Sequence, residues 1–499
     1  MVHFSHNPKK NKRPHRQAVL PTRNEGKEQA VSAAGAYEPR LEPDKSRPTA
    51  RFDDPVLRHH TLRINHVGLC AYLVALAAWQ RGLKVAFHYD VSEKSDRFRH
   101  HEGKGHMGEL FSISDGGRTH FFRRTLGDKT TIQSSAWAEN KQQAKAIWTE
   151  RGLDVPDGVQ ISRQTPKAVN KFLSCHQQGQ RFLLKPVDGT LGQGVYRNIR
   201  PEEIHPLLQR TNGQIYLLEE YIAGPQYRVN IVGDRYIAAF ENRPPQVVGD
   251  GRSTIAQLVA QARRRVAQQV PAVLADKGPS LTPPVLQFLA QRDLEPSSVP
   301  MANQVVVLWP EADLDHGAEA VNCTDTLPHP VREICVRAAQ ALALPVTGID
   351  VIVNPDTGRI VLLEANQVPM IRATAFPFEG RGEGNRMAEA IVDHYFPESV
   401  NNHRHTQASF DFMHICRILQ SGVASEIAPP VLGPDWVHQR KNIPAVCVDD
   451  STIRNIKQAM FRYGVHANFV RTDLGDLIVD WVAPTARSKH FSKALEGET

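Results

Sequence analysis

Long hydrophobic runs are missing from this chain. The longest, Leu69 to Trp79, falls short of the ~20 apolar residues a helix needs to span a bilayer. No signal-peptide pattern opens the sequence, so a cytoplasmic setting without a membrane partner is expected. The six cysteines stand at positions 70, 175, 323, 335, 416 and 447, with no C-x-x-C pair among them. That spacing argues against a disulfide framework and a structural zinc site, and it suits a reducing compartment. No internal repeat occurs, and no stretch ends in the Gly-Lys-Ser/Thr of a P-loop. Gly249-Asp250-Gly251-Arg252-Ser253-Thr254 has some of its look but reads as the turn before a helix starting near Thr254. His100, His101 and His106 lack carboxylates or thiols at ligand spacing, which leaves them as loop residues.

Charge is present but unevenly placed. The formal net charge is +7 over 499 residues, yet residues 1–47 hold ten Lys/Arg against five Asp/Glu and supply +5 of it. The remaining body is close to neutral and carries no nucleic-acid footprint. Residues 1–55 lack apolar periodicity and are expected to be a disordered basic tail. His66 to Arg81 reads as a helix stopped by Gly82, Val85–Phe87 as a strand, and Glu109–Ile113 with Thr119–Arg123 as a hairpin about Ser114-Asp115-Gly116-Gly117. Trp137 to Gly152 reads as one helix. Near the end come a helix over 410–420, a strand Ala445–Val448, a helix Thr452–Tyr463 and a hairpin His466–Val482 about Gly475.

Two motifs carry the chemistry. Lys185-Pro186-Val187-Asp188-Gly189-Thr190-Leu191-Gly192-Gln193-Gly194 is a strand ending in lysine followed by a glycine-rich turn. Gly189, Gly192 and Gly194 let backbone N–H groups approach phosphate oxygens without an obstructing Cβ. Asp350, Glu364 and Asn366 lie on two short runs, Ile349–Val353 and Ile360–Leu363 with its continuation, joined by the turn Asn354–Gly358. An antiparallel pair puts these side chains on one face, because Glu364 and Asn366 are two apart. Two carboxylates and an amide are the ligand set of a hard cation such as Mg²⁺ or Mn²⁺, which would also resolve the cost of burying them.

The ordered set resembles the ATP-grasp ligase superfamily over residues ~60 to 398. Tyr221–Val229, Asn242–Thr254, Phe376–Gly382 and Tyr395–Glu398 are similar to the branch that holds cyanophycin synthetase and the bifunctional bacterial glutathione enzyme. The resemblance implies an α/β fold of α+β lobes. These are an N-terminal lobe over 56–130, a central lobe with the phosphate loop over 131–215, and a metal-bearing lobe over 216–398. Residues 399–499 are read as an extra small α/β domain. It further implies ATP held by Lys141, Lys185, Gly189, Gly192 and Gly194, with Glu219, Glu220, Tyr221 and Ile222 as the adenine hinge. Gln226 stands where relatives commonly carry an acidic ribose ligand. Arg228, Arg243 and Lys185 are the catalytic candidates, with Arg372 and Arg381 as weaker candidates for substrate contact. Related D-alanine ligases commonly place an arginine two residues before the first metal carboxylate. Here that position is Gly348, so the acyl-phosphate would fall to Arg228 or Arg243.

The expected activity is an ATP- and Mg²⁺-dependent carboxylate–amine ligation on amino-acid or short-peptide substrates. A small-molecule kinase and a non-catalytic nucleotide-binding regulator are the alternatives. Residues 399–499 lack the second ligase domain of cyanophycin synthetase, and the residues before the motifs are too few for the first domain of the glutathione enzyme. A stand-alone, homo-oligomeric ligase is expected. Because a charged, low-apolar tail contributes no core, a chain starting at Asp54 should keep the full-length kcat; a collapse of activity with unchanged folding would implicate the tail in the site.

Overall fold

In the computed structural model, residues 64, 68–89, 107–162, 164–187, 194–210, 215–270, 278–310, 312, 317–380, 382–400, 409–431, 435–471 and 475–496 are described. The apolar segment seen in the sequence forms α1 (Gly68–Gln80), buried on every side except at Gln80. A helix apolar all round must sit inside other structure. Antiparallel strands β1 (Lys84–His88), β2 (Leu110–Ser114), β3 (Thr119–Arg123) and β4 (Leu126–Gly127) cover it. Among the described residues no helix is long and apolar enough to cross a membrane.

The helix expected over Trp137–Gly152 is two helices, α2 (Ile132–Glu139) and α3 (Lys141–Glu150). Asn140 separates them. Its φ of −88° and ψ of 95° leave the helical region, and its Oδ1 accepts from the Gln142 and Gln143 N–H groups at 3.2 and 3.1 Å. Asparagine competes with the helical backbone in this way and caps the second helix. The break sets Lys141 at the first position of α3. Trp148 anchors the other end, fully buried, its Nε1 donating to the Ala338 carbonyl at 3.0 Å.

Four antiparallel strands come next along the chain: β5 (Gly158–Ile161), β6 (Phe182–Pro186), β7 (Tyr196–Ile199) and β8 (Tyr216–Glu220), in the order β5-β8-β6-β7. Helices α4 (Pro166–Ser174) and α5 (Pro201–Gln209) bury Val169, Ile204 and Leu208 against Phe182, Leu184 and Leu218. The boundary expected at 215/216 therefore falls within one sheet, since β8 pairs with both β5 and β6. The turn Gly249–Thr254 precedes a helix as anticipated, with Thr254 as its N-cap. Its helix, α6 (Ile255–Gln269), packs on the two-stranded β11 (Gln246–Val248) and β12 (Val305–Val307) beside α7 (Pro283–Ala290).

The sheet that matters most joins β9 (Gln226–Val232), β10 (Arg235–Arg243), β13 (Glu319–Asn322), β14 (Val346–Val353) and β15 (Ile360–Asn366), in the order β13-β10-β9-β14-β15. Alternate residues Val229, Ile231, Ile349 and Val351 pack under α3 and α8 (His329–Ala341). By strand alternation, Arg228, Asn230, Gly348 and Asp350 face the other way. The β14–β15 turn is as expected: Asn354 Oδ1 accepts from the Asp356 and Thr357 N–H groups at 2.9 Å.

The last hundred residues are not one unit. After α9 (Arg372–Ala375) and α10 (Arg386–Tyr395), α11 (Phe412–Gln420) and β16 (Glu426–Ile427) join the N-terminal lobe. Phe410 and Phe412 lie against Tyr72 with ring centroids 5.3 and 5.6 Å away. The remainder is a three-stranded sheet of β17 (Trp436–Ile443), β18 (His466–Arg471) and β19 (Leu477–Pro484), with α12 (Asp450–Tyr463) and α13 (Thr485–Ala494). Ala445–Cys447, expected within a strand, is a single 3₁₀ turn that comes after Pro444. The strand is the preceding, strongly polar β17, whose composition hid it. The architecture is of α+β lobes built on antiparallel sheets, as the fold class anticipated.

The Asn140 cap generates a test. Asn140→Ala should lower unfolding free energy by about 1 kcal/mol in urea titrations, and an unchanged midpoint would show that the break does not depend on this cap.

Candidate active site

Strand register assembles the acidic centre. Asp350, fully buried, is the Cα partner of Arg228 on β9 and of Glu364 on β15. The β14–β15 pairing slips immediately after it, so that Val351 faces Leu362; such a bulge re-aims the side chains beside it. Arg228 grips Asp350 with two donors, Nε to Oδ1 and Nη2 to Oδ2, the latter at 2.7 Å. Its Nη2 also lies 3.9 Å from Glu364 Oε1. Lys141 reaches Glu364 from the start of α3, Nζ to Oε2 at 2.8 Å. Asn366 Nδ2 stands 3.5 Å from Asp350 Oδ2 and 3.4 Å from Glu364 Oε1.

The two carboxyls are driven apart in acidity. Burial pushes Asp350 up to about 6 despite the Arg228 guanidinium, and the neighbouring Glu364 adds to the rise. Burial pushes Glu364 up as well, but Lys141 and Arg228 outweigh it and hold that carboxyl at about 2. Negative charge is thus concentrated here and balanced by two side-chain cations. The side chains of Asp350, Glu364 and Asn366 meet here, with the Asn366 amide nitrogen turned to the two carboxylates and no sulfur or imidazole among the three. That donor set fits a hard divalent cation, which these three residues could hold.

A second charged centre lies beside the first. Glu219, 2% exposed, receives Lys185 Nζ at 2.7 Å and also Lys145 Nζ. Gly158 on the neighbouring strand leaves room for it, since a Cβ there would come within 2.8 Å of Glu219 Cγ. Burial opposes the charge on Glu219, but the two lysines win and lower its pKa. Lys145 was not anticipated. It lies one helical turn after Lys141, and that i,i+4 spacing was the available signal. Its pKa is lowered by burial, reinforced by Lys185 and Lys141 despite Glu219.

The hinge residues divide. Glu220 points away from Glu219 and accepts from Arg359 at 3.0 and 3.2 Å, while Arg359 also holds Asp154 at 3.0 Å. That network ties the end of β8 to the β14–β15 turn, a role sequence reading did not foresee. Tyr221 donates its N–H to the Arg181 carbonyl at 2.8 Å, Ile222 is buried, and Gln226 is half-buried at the start of β9. Gly194 has φ +72°, and a Cβ there would press to 3.0 Å from Pro186 Cγ, so the turn requires glycine. Gly189, Gly192, Arg381, His100, His101 and His106, like the tail 1–55, lie outside the described residues. Arg372 opens α9.

Of the candidate arginines among the described residues, Arg228 is the one with an ion pair to the acidic centre. Arg243 turns to Glu379 at 2.9 Å and Glu241 at 3.5 Å. Gly348 explains the choice: a Cβ at that position would lie 2.7 Å from Arg228 Cδ. The bare glycine gives Arg228 its place over the strand.

No family model matches the chain. In sequence it is 25% identical, over 328 residues, to the glutathione biosynthesis bifunctional protein of Listeria innocua serovar 6a, a match covering 63% of this chain and 40% of that one. It is 28% identical over 294 residues to the cyanophycin synthetase of Trichormus variabilis, covering 55% and 31%. The chain thus spans less than half the length of these curated relatives. Among solved structures, a bifunctional glutathione synthetase from Pasteurella multocida overlaps 58% of this chain and 40% of its own, at 21% identity and a TM-score of 0.46. The sequence matches bear out the resemblance: the chain is related to the bifunctional glutathione enzyme and to cyanophycin synthetase, the two ATP-grasp ligases of the branch its motifs indicated.

The Glu219 centre is testable by stability. Glu219→Ala leaves Lys145 and Lys185 facing each other without a counter-charge, and breaking a buried pair costs about 3–5 kcal/mol. Urea unfolding should show a loss of that order, and a variant as stable as wild type would contradict the role given to Glu219.

Proposed function

We propose that this protein is an ADP-forming carboxylate–amine ligase that uses ATP and Mg²⁺ to join amino-acid or short-peptide substrates through an acyl-phosphate. The observation that carries the reading is the convergence of Asp350, Glu364 and Asn366 on one sheet face under Arg228, with Lys141, Lys145 and Lys185 gathered alongside. In that reading Asp350, Glu364 and Asn366 hold the cation, which when bound neutralises charge on phosphate oxygens. Lys141 and Lys185 receive the ATP phosphates. The peptide edge from Glu219 to Ile222 borders the adenine, and Glu219 keeps Lys185 in place.

The substrate carboxylate oxygen forms a bond to the γ-phosphorus, and the bond to the bridging oxygen of ADP breaks. The amine nitrogen then bonds to the acyl carbon, inorganic phosphate leaves with the carboxylate-derived oxygen, and the surplus proton passes to solvent. Charge accumulates on oxygen in both steps, so positioned cations contribute more than a proton-transfer group. In this reading Arg228 answers that charge with its fork of donors.

Removing a charged transition-state contact typically lowers rate by roughly 10²–10³. Lys185→Ala and Glu364→Gln should each reduce ATP- and amine-dependent phosphate release by about that factor while keeping the wild-type circular dichroism spectrum. ADP is the expected nucleotide product, and hydroxylamine should divert the acyl-phosphate to a hydroxamate. AMP formation, or a phosphorylated hydroxyl with no amide or hydroxamate, would contradict the ligase reading.

A further inference from the structure

Asn230 comes two residues after Arg228 on β9, so both stand on the site face of the sheet. It is 0% exposed, and neither its Oδ1 nor its Nδ2 has a hydrogen-bond partner among the described residues. Its cross-strand partners, Ala238 and Gly348, offer no polar side chain. An amide buried this way loses its hydration and gains nothing in return, whereas an apolar side chain would fill the same strand position without that cost. Its location gives the amide a use. The point where a Gly348 Cβ would lie is 2.7 Å from Arg228 Cδ and 3.2 Å from Asn230 Oδ1. The Arg228 stem and the Asn230 acceptor therefore both border the space left open above Gly348.

Arg228 now neutralises the carboxylates of Asp350 and Glu364. A dication held by those oxygens would repel the guanidinium. Arg228 is itself buried, and a guanidinium released inside the protein needs another acceptor. Asn366, the other amide at Gly348, is already turned toward the two carboxylates. We propose that Asn230 is a positioning residue: its Oδ1 receives the Arg228 guanidinium when a divalent cation takes over Asp350 and Glu364. The remaining donors of Arg228 are then free to face the acyl-phosphate. This inference rests on the cation site proposed above.

Titration of the full-length, nucleotide-free protein with Mn²⁺, monitored by the paramagnetic resonance signal of the free ion, tests it. Without its acceptor Arg228 leaves the carboxylates less readily, so Asn230→Leu should weaken Mn²⁺ binding by about tenfold, the worth of one hydrogen bond to a charged group. In an Arg228→Met background the same substitution should change nothing, because no guanidinium remains to be received. Asn230→Ala, with a thermal melt on each variant, serves if the leucine does not fold. Wild-type affinity in the Asn230 variants, or an equal loss in both backgrounds, would overturn the proposal. Failure of the wild-type protein to bind Mn²⁺ saturably would overturn the cation site itself and this inference with it.

Discussion

A buried carboxylate, Asp350, set beside the part-exposed Glu364 on the neighbouring strand is the constraint around which this molecule is organised. Asp350 could not stay ionised there alone, since burying an uncompensated charge costs far more than a domain's whole stability margin. Arg228 from β9 and Lys141 from α3 supply the compensation. Each is delivered by a local departure from regular structure. The bare backbone at Gly348 admits the arginine, and the Asn140 break starts α3 where the lysine can reach. The acidic centre is expensive to keep, which points to a use beyond packing.

The Glu219 centre applies the same logic with the signs exchanged. One buried carboxylate holds two lysines, Lys145 and Lys185, that would repel one another without it. Lys141 and Lys145 lie one turn apart on α3, so a single helix serves both centres. Cations outnumber carboxylates across the pair of centres, four against three (Arg228, Lys141, Lys145 and Lys185 against Asp350, Glu364 and Glu219). A surplus of positive charge beside an oxygen-only donor set suits a polyphosphate and its metal, the chemistry put forward for this site.

Much of this was legible in the sequence, and for identifiable reasons. Period-two alternation and the Asn354–Gly358 turn place Asp350, Glu364 and Asn366 together without any long-range information. Lys185 is marked by the glycines after it. What escaped depends on contacts distant in sequence. The pairing of Lys145 with Glu219 and of Arg359 with Glu220 joins residues far apart in the chain. A polar edge such as β17 shows no apolar rhythm, and its partner β19 lies some forty residues on. The attachment of α11 and β16 to the N-terminal lobe is likewise a matter of tertiary packing, which no boundary drawn from composition could reveal. Asn140 stands in plain view in the sequence, but helix-forming residues on either side mask a single capping residue.

The central claim is that charge gathered at Asp350, Glu364 and Arg228 serves the transfer of a phosphoryl group onto a carboxylate. Oxygen-isotope tracing addresses it most directly. With an accepted carboxylate substrate labelled in both oxygens with ¹⁸O, the account predicts that one labelled oxygen leaves in inorganic phosphate and the other stays in the amide. Phosphate free of label, with amide formed at the normal rate, would contradict it.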